Sequence, residues 1–154
     1  GRLPAPYVYR LPTEAEWEYT CRSGQPDNFV GQVGDIAWFF KNSNEETHEV
    51  GLKAANPWGF HDMQGNIFEW VQDACDFREP TWYEDPKNNL SSIFKDDVVN
   101  PASGNGSNKV AKGGCWLLDT DACRPSTRYI NPSDSRYFVL GFRLCLGEPI
   151  YPVD

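Results

Sequence analysis

A pair of cysteines near the C-terminal end has a spacing that is compatible with several kinds of chemistry. In the stretch GGCWLLDTDACRPSTR, residues 113–128, Cys115 and Cys123 lie eight residues apart and two arginines follow. The pattern suits a thiol active site, a structural element or a ligand-binding surface. Burial of the cysteines as free, small apolar side chains is the most ordinary of these outcomes.

A second group of residues is suited to a hard cation. The stretch HDMQGNIFEW supplies the carboxylates of Asp62 and Glu69 and a turn carbonyl at Gly65. Calcium prefers carboxylate and carbonyl oxygens, and this spacing allows one segment to wrap around one ion. The stretch therefore predicts either a calcium site or a turn with solvated acids.

Three arginines form a further group: Arg124 and Arg128 lie within the cysteine stretch, and Arg143 follows it. Arginine near aromatic strands usually stacks or pairs with buried carboxylates. We expect these side chains to hold strands to acids such as Glu16 or Glu69, and anion binding is the alternative.

The bulk composition restricts the classes of partner. The formal net charge is -8, and an acidic surface repels phosphate backbones, so nucleic acid is not an expected partner. No stretch approaches the roughly 20 apolar residues of a transmembrane helix. The chain has five cysteines, an odd number, and only two histidines, without a CxxC pair. A closed zinc site is therefore disfavoured.

The elements that must position these residues are short. The segment 12–19 predicts a helix that begins at a Thr13 N-cap with Glu16 completing a capping box, and that ends near Ser23. Apolar runs predict a strand or buried turn at 36–40 and a strand at 67–71. The chain of 154 residues is expected to form one domain, 1–154, with low helix content.

The second half of the chain is predicted to alternate between strands and a long loop. Strands are expected at 109–116, which ends in Gly-Gly, and at 137–146. Residues 76–108 are polar and contain Pro80, Pro86 and Pro101. A structureless stretch of this length is unusual inside a compact domain, so it predicts an elaborated surface loop.

The segment 117–139 has an unusual composition. It contains no Lys, Glu, Gln, Met or Trp, although the chain has six tryptophans; chance gives such a gap roughly once in a hundred segments. Apolar side chains in an irregular loop are typical of a recognition surface, although an ordinary core-plus-loop segment is the alternative. The predicted solvent-facing contacts are Leu117, Leu118, Asp119, Asp121, Tyr129, Ile130, Ser133, Asp134, Tyr137, Phe138 and Val139, with Trp116 and the arginines as scaffold.

Four motifs together resemble the formylglycine-generating enzyme (sulfatase-modifying factor) family. They are YRLPTEAEWEYTCRSG at 9–24, NPWGFHDMQGNIFEW at 56–70, KVAKGGCW at 109–116 and LGFRLCL at 140–146. The resemblance implies an α+β, C-type-lectin-like fold with little regular secondary structure. It also implies that the chain corresponds to the C-terminal part of the family domain, whose N-terminal part is missing here or lies in another chain.

The resemblance also implies a structural calcium site. Carried over residue by residue, its ligands are the side chains of Asp62 and Glu69 and the main-chain oxygens of Gly65 and Ile67. The family's other calcium site falls near residues 35–44, where the acidic pattern is not matched and no site is expected.

The copper chemistry of the family's oxidases is not matched at its two cysteine positions. In their motif, Cys115 occupies a serine position, Leu118 occupies the first cysteine position, and Cys123 is out of register with the second. Copper is therefore not an expected cofactor, and this segment is not expected to be catalytic. The alternative is a copper-dependent oxidase of a peptide cysteine that uses Cys115 and Cys123. The three-histidine iron site of related sulfoxide synthases is disfavoured because the chain has two scattered histidines.

The C-terminal motif of this chain, GG-x-W…A-C-R-x-x-x-R…LGFR, is shorter than the motif of the oxidases. It resembles a different branch of the family, which includes the variable proteins of diversity-generating retroelements. There, adenine mutagenesis of AAC codons yields NNC codons, which cannot encode the five residue types missing from 117–139. The resemblance implies a variable region at 113–143, a protein or glycan ligand, and an extracytoplasmic or cell-surface location. A regulatory or structural module of a larger protein is a further alternative.

Overall fold

A computed structural model describes residues 6–27, 31–75, 104 and 106–150. The predicted surface loop at 76–108 falls almost entirely outside these residues. Within the described part, helix is scarce and strands are short, as the sequence predicts. No helix among the described residues has the length and apolarity required to cross a membrane.

The N-terminal helix α1 is Glu14–Arg22, and it begins as its sequence predicts. The Glu16 N–H donates to the Thr13 hydroxyl, and the Glu16 carboxylate accepts from the Thr13 N–H, which completes the capping box. The residue after the helix, Ser23, is its C-cap: its N–H donates to the Tyr19 carbonyl, and its left-handed backbone (φ 45°) ends the helix. Trp17 and Cys21 face the core.

A four-stranded sheet forms the centre of the fold. Its strands are β2 (Phe68–Cys75), β3 (Asn108–Lys112), β4 (Tyr129–Pro132) and β5 (Leu140–Phe142), in the spatial order β4-β3-β2-β5. The β2–β3 and β3–β4 pairs are antiparallel, whereas β5 runs parallel to β2. The pairing places the end of the 117–139 segment directly beside the start of β2.

The expected single strand at 137–146 is wrong, because it forms two short strands in different sheets. After β5, the strand β6 (Cys145–Gly147) leaves the central sheet and pairs antiparallel with β1 (Val8–Arg10). Between the two strands, the Arg143 guanidinium donates to the buried Glu69 carboxylate. The run at 36–40 follows a short helix, α2 (Val33–Ile36), and forms a bridge at Trp38 and then a turn.

The core lies on both faces of the central sheet. Trp17 of α1 packs with Val71, Val110 and Ile130 on one face. On the other face Phe68 stacks on Tyr129, with ring centroids 4.4 Å apart, in a cluster that includes Trp116 and Val139. Strand β4 therefore contributes neighbouring side chains to opposite faces.

Candidate functional site

The segment 117–139, which we call the display segment, is preceded by a glycine turn that no other residue type fits. Gly113 and Gly114 have φ values of 98° and 75°, a backbone region that residues with a Cβ rarely adopt. A Cβ at Gly114 would lie 2.7 Å from the Ala122 carbonyl oxygen. The turn thus packs tightly against a 3₁₀ turn at Thr120–Cys123, and the chain emerges at Leu117 on the surface.

Most of the predicted contact residues lie at the surface. Leu117, Tyr137 and Phe138 expose large apolar side chains, and Phe138 is 72% exposed. Leu118 is half-buried. We define the display face as the seven exposed members of the predicted set, namely Leu117, Asp119, Asp121, Ser133, Asp134, Tyr137 and Phe138.

Three predicted contact residues, Tyr129, Ile130 and Val139, are not solvent-facing; each is 4% exposed. Tyr129 and Ile130 lie in β4, whose two faces are both covered by core, so neither reaches solvent. Val139 packs in the same cluster as Phe68, and its carbonyl accepts the Phe68 N–H at 2.8 Å. These three residues pack in the core beneath the display face.

The aromatic part of the display face rests on the predicted scaffold residue Trp116. Its ring lies 5.8 Å from that of Phe138, centroid to centroid, and it is only 9% exposed. A residue that sequence reasoning missed, Phe40, adjoins this area: its N–H donates to the Leu118 carbonyl at 3.0 Å, and its side chain is 51% exposed. The apolar run at 36–40 gave no signal that one of its members faces solvent.

The three arginines are bonded to acids or carbonyls, as expected of scaffold. Arg143 donates two hydrogen bonds of 2.6 Å to the Glu69 carboxylate. Arg128 pairs with Glu14, whereas Glu16 is instead held by Arg10. Arg124 donates to the Asp121 carbonyl at 3.1 Å and so closes the turn beneath the display face.

A buried ion cluster joins α1 to the strands that carry the display face. Lys112 at the end of β3 is fully buried and lies 3.1 Å from a Glu14 carboxylate oxygen. Burial raises the pKa of Glu14, but the charge of Lys112 and the hydrogen bond from Arg128 outweigh burial, so the net pKa is lowered. Glu14 therefore remains ionised and links Arg128, immediately before β4, to the helix.

The predicted calcium loop is tightly curled and has donors of the expected kind. Asp62 and Gly65 have φ values of 55° and 81°, and a Cβ at Gly65 would lie 2.3 Å from the Trp38 carbonyl oxygen. The Asp62 Oδ2 atom accepts the Gly51 N–H at 2.7 Å. Asp62 and Glu69 are both buried, at 8% and 7% exposure.

The Glu69 carboxylate has most, though not all, of its acceptor capacity in use. Its Oε2 atom accepts from Trp17 Nε1 and Arg143 Nε, whereas Oε1 accepts from Arg143 Nη2. Each carboxylate oxygen has two lone pairs, so one remains at Oε1. Together with Asp62 and the main-chain oxygens of Gly65 and Ile67, this set is chemically compatible with calcium.

Cys115 and Cys123 are both buried, at 1% and 0% exposure. Burial raises the pKa of Cys115 to about 11 and that of Cys123 to about 12, so neither forms a thiolate readily at neutral pH. Copper ligation requires thiolates that a substrate can reach. Their burial therefore does not support the alternative in which these two cysteines form a copper site.

The sequence has relatives of several kinds. Residues 1–147 match the family described as the Sulfatase-modifying factor enzyme 1-like domain. The chain is 34% identical over 142 residues to serine/threonine-protein kinase pkn1 of Chlamydia caviae, across 90% of this chain and 21% of the kinase. It is 29% identical to the mouse (Mus musculus) formylglycine-generating enzyme, across 94% of this chain and 41% of the enzyme. The chain thus spans less than half of either relative.

Solved structures share the fold. Treponema denticola variable protein 1 matches with a TM-score of 0.74 and 32% identity, covering 92% of this chain and 48% of that protein. PvdO from Pseudomonas aeruginosa matches with a TM-score of 0.70 and 24% identity, covering 92% of this chain and 53% of that protein. These matches confirm the predicted C-type-lectin-like fold.

Proposed function

The chain belongs to the Sulfatase-modifying factor enzyme 1-like domain family, and from that premise we propose that it is a binding domain whose display face recognises a protein or glycan ligand. The proposal rests on the division of the segment 117–139 into exposed and buried side chains. Seven side chains of this segment face solvent, and its buried members pack in the core beneath them.

The physical advantage of this arrangement is preorganisation. Binding costs less when the loops that make contact are already ordered. Here the display segment is held by the Gly113–Gly114 turn, by the Arg124 bond to the Asp121 carbonyl and by the Arg128 pair with Glu14. Exposed positions on such a scaffold can change without loss of the fold, because they contribute little to the buried core.

A diversified origin for the display face is part of the proposal. The chain resembles a protein named as variable, and the five residue types that NNC codons cannot encode are missing from 117–139. The coding DNA tests this directly. A nearby near-copy of codons 113–143 that differs at adenine positions is expected, and its absence from the whole genome would contradict the retroelement origin.

Calcium is proposed as a structural ion of the loop below the sheet. Asp62 and Glu69 would hold it with side-chain oxygens, and Gly65 and Ile67 with main-chain oxygens. The ion would supply positive charge that stabilises two buried carboxylates, in addition to the charge of Arg143.

The experiment that tests the binding function compares two libraries. In the first, the seven display-face positions are randomised; in the control, the buried residues Tyr129, Ile130 and Val139 are randomised. Both are displayed on yeast, and the fraction of folded clones is measured with a conformation-sensitive antibody. Most clones of the first library are expected to fold and to yield binders to several unrelated test proteins, whereas most control clones lose the fold. Equal loss in both libraries would contradict a display function.

A further inference from the structure

The surface around the display face includes an aromatic side chain from a distant part of the sequence. The N–H of Phe40 donates to the Leu118 carbonyl at 3.0 Å, and the Ser43 hydroxyl donates to the Trp116 carbonyl, also at 3.0 Å. These two bonds hold the turn at 39–43 against the start of the display segment. Phe40 therefore adjoins Leu117 and Leu118 at the surface.

The turn that carries Phe40 is anchored from inside the protein. Its neighbour Phe39 is 7% exposed and packs with Ile36 and Cys123. The Phe39 N–H donates to Asn42 Oδ1 at 2.8 Å, and the Phe39 carbonyl accepts from Ser43. Because the backbone is fixed on both sides, the exposed Phe40 ring offers apolar area at a small entropic cost on binding.

The centre of this enlarged surface is apolar and contains one unused donor. Phe40, Leu117 and Phe138 are 51%, 41% and 72% exposed. Beside Phe138, the Nε1–H of Trp116 is buried, and no described atom accepts a hydrogen bond from it. Buried donors are normally paired, so a ligand oxygen that reaches this N–H gains a hydrogen bond.

The display face carries negative charge. Arg124 is already bonded to Asp121, so it contributes little free positive charge. The display face includes three exposed carboxylates, those of Asp119, Asp121 and Asp134, and none of its seven members is a lysine or an arginine. The net charge of -8 for the whole chain adds to the same field. Complementary charge favours a basic partner and speeds its association.

We propose that Phe40 is a contact residue of the binding site outside the display segment, and that the ligand is a protein surface with an apolar side chain surrounded by lysines and arginines. This inference rests on the proposed function, because it names the partner of the same face. It adds two points that can be tested separately, namely the role of Phe40 and the basic character of the partner.

The test uses the whole chain as bait for a phage-displayed library of random dodecapeptides. Selected peptides are synthesised, and their dissociation constants are measured for the wild type and for Phe40→Ser, Phe138→Ser and Leu52→Ser. Leu52 is the matched control, since it is an exposed apolar side chain, 61% exposed, in a different turn. Circular dichroism confirms that each variant is folded.

The selected peptides are expected to combine an aromatic or leucine residue with several lysines or arginines. Phe40→Ser and Phe138→Ser should each weaken binding by about tenfold or more, as truncation of an aromatic anchor does, while Leu52→Ser leaves it unchanged. Loss with Phe138→Ser but not with Phe40→Ser overturns the inference about Phe40 and leaves the binding function intact. Selection of acidic or uncharged peptides overturns the inference that the partner is basic. Peptides insensitive to both phenylalanines contradict the proposed function itself.

Discussion

Arg143 binds the Glu69 carboxylate through two parallel hydrogen bonds of 2.6 Å, from Nε to Oε2 and from Nη2 to Oε1. Glu69 lies in β2, and Arg143 lies between β5 and β6. The pair therefore fixes the chain at the point where it passes from the central sheet to the two-stranded sheet. The same carboxylate accepts the Trp17 indole N–H at 2.7 Å, which ties α1 to this junction.

Loss of the Arg143 guanidinium should destabilise the fold. Arg143→Gln leaves Glu69 buried without its cation, and we expect a loss of about 2–3 kcal/mol in the free energy of unfolding, somewhat below the full value for a buried pair because Arg143 is partly exposed. Urea denaturation measures this. Arg22→Gln, which breaks the partly exposed pair with Glu18, is the control and should cost less than about 0.5 kcal/mol. Equal losses of unfolding free energy in the two variants would contradict the prediction that the Arg143–Glu69 pair stabilises the fold more than an exposed pair does.

The buried Glu14 should make stability depend on acidic pH. Burial raises its pKa, but Lys112 and Arg128 together lower it below the unfolded value, which is about 4.3. A lowered folded pKa gives stability that is fully present above the unfolded pKa and is lost as the pH falls through the folded pKa. Urea midpoints should therefore fall below about pH 4.3. This fall should be smaller in Glu14→Gln. In the control Glu49→Gln, which changes an exposed carboxylate, the fall should equal that of the wild type. An identical fall in all three proteins would contradict the role given to Glu14.

The buried thiols should resist modification in the folded protein. Burial raises the pKa of Cys21 and Cys123 to about 12 and that of Cys115 to about 11, and a thiol reacts as its thiolate. At pH 8, a disulfide reagent followed by mass spectrometry should label half-buried Cys145 about tenfold faster or more than these three. Rapid paired labelling of Cys115 and Cys123 would instead support the copper-site alternative.

Calcium removal should lower the melting temperature if the loop at Asp62 binds the ion. At a hundredfold excess over its dissociation constant, a ligand adds about 2.7 kcal/mol, which corresponds to roughly 5–10 °C for a domain of this size. Differential scanning calorimetry with calcium or with EDTA measures the shift. Asp62→Asn should abolish it, whereas exposed Asp119→Asn should keep it. No shift in the wild type would contradict the calcium proposal.

Local signals predicted some elements well. The N-cap of α1 is set by residues three apart, so Thr13 and Glu16 identify it without knowledge of the rest of the fold. The glycine turn before the display segment is likewise a local requirement of Gly113 and Gly114. The sequence also predicts that the three arginines pair with acids such as Glu16 or Glu69, and Arg143 does pair with Glu69.

Burial within the display segment depends on tertiary packing and was not predictable from the residues. Tyr129 and Tyr137 are the same residue type, yet Tyr129 stacks on Phe68 and is buried, whereas Tyr137 is 40% exposed. The neighbours Phe39 and Phe40 differ in the same way, because the turn directs one inward and the other outward. When both faces of a strand are covered, the sequence does not distinguish its buried apolar residues from apolar residues that contact a ligand.

The most direct test of the account is the affinity of the chain for peptides selected on it, measured by titration calorimetry before and after the display face is altered. The altered protein is the triple variant Leu117→Ser, Tyr137→Ser and Phe138→Ser, in which the buried residues are kept. We expect the dissociation constant to rise by about a hundredfold or more, as loss of several anchors implies, with an unchanged melting temperature. An unchanged dissociation constant in a folded triple variant would contradict the claim that this face binds the ligand.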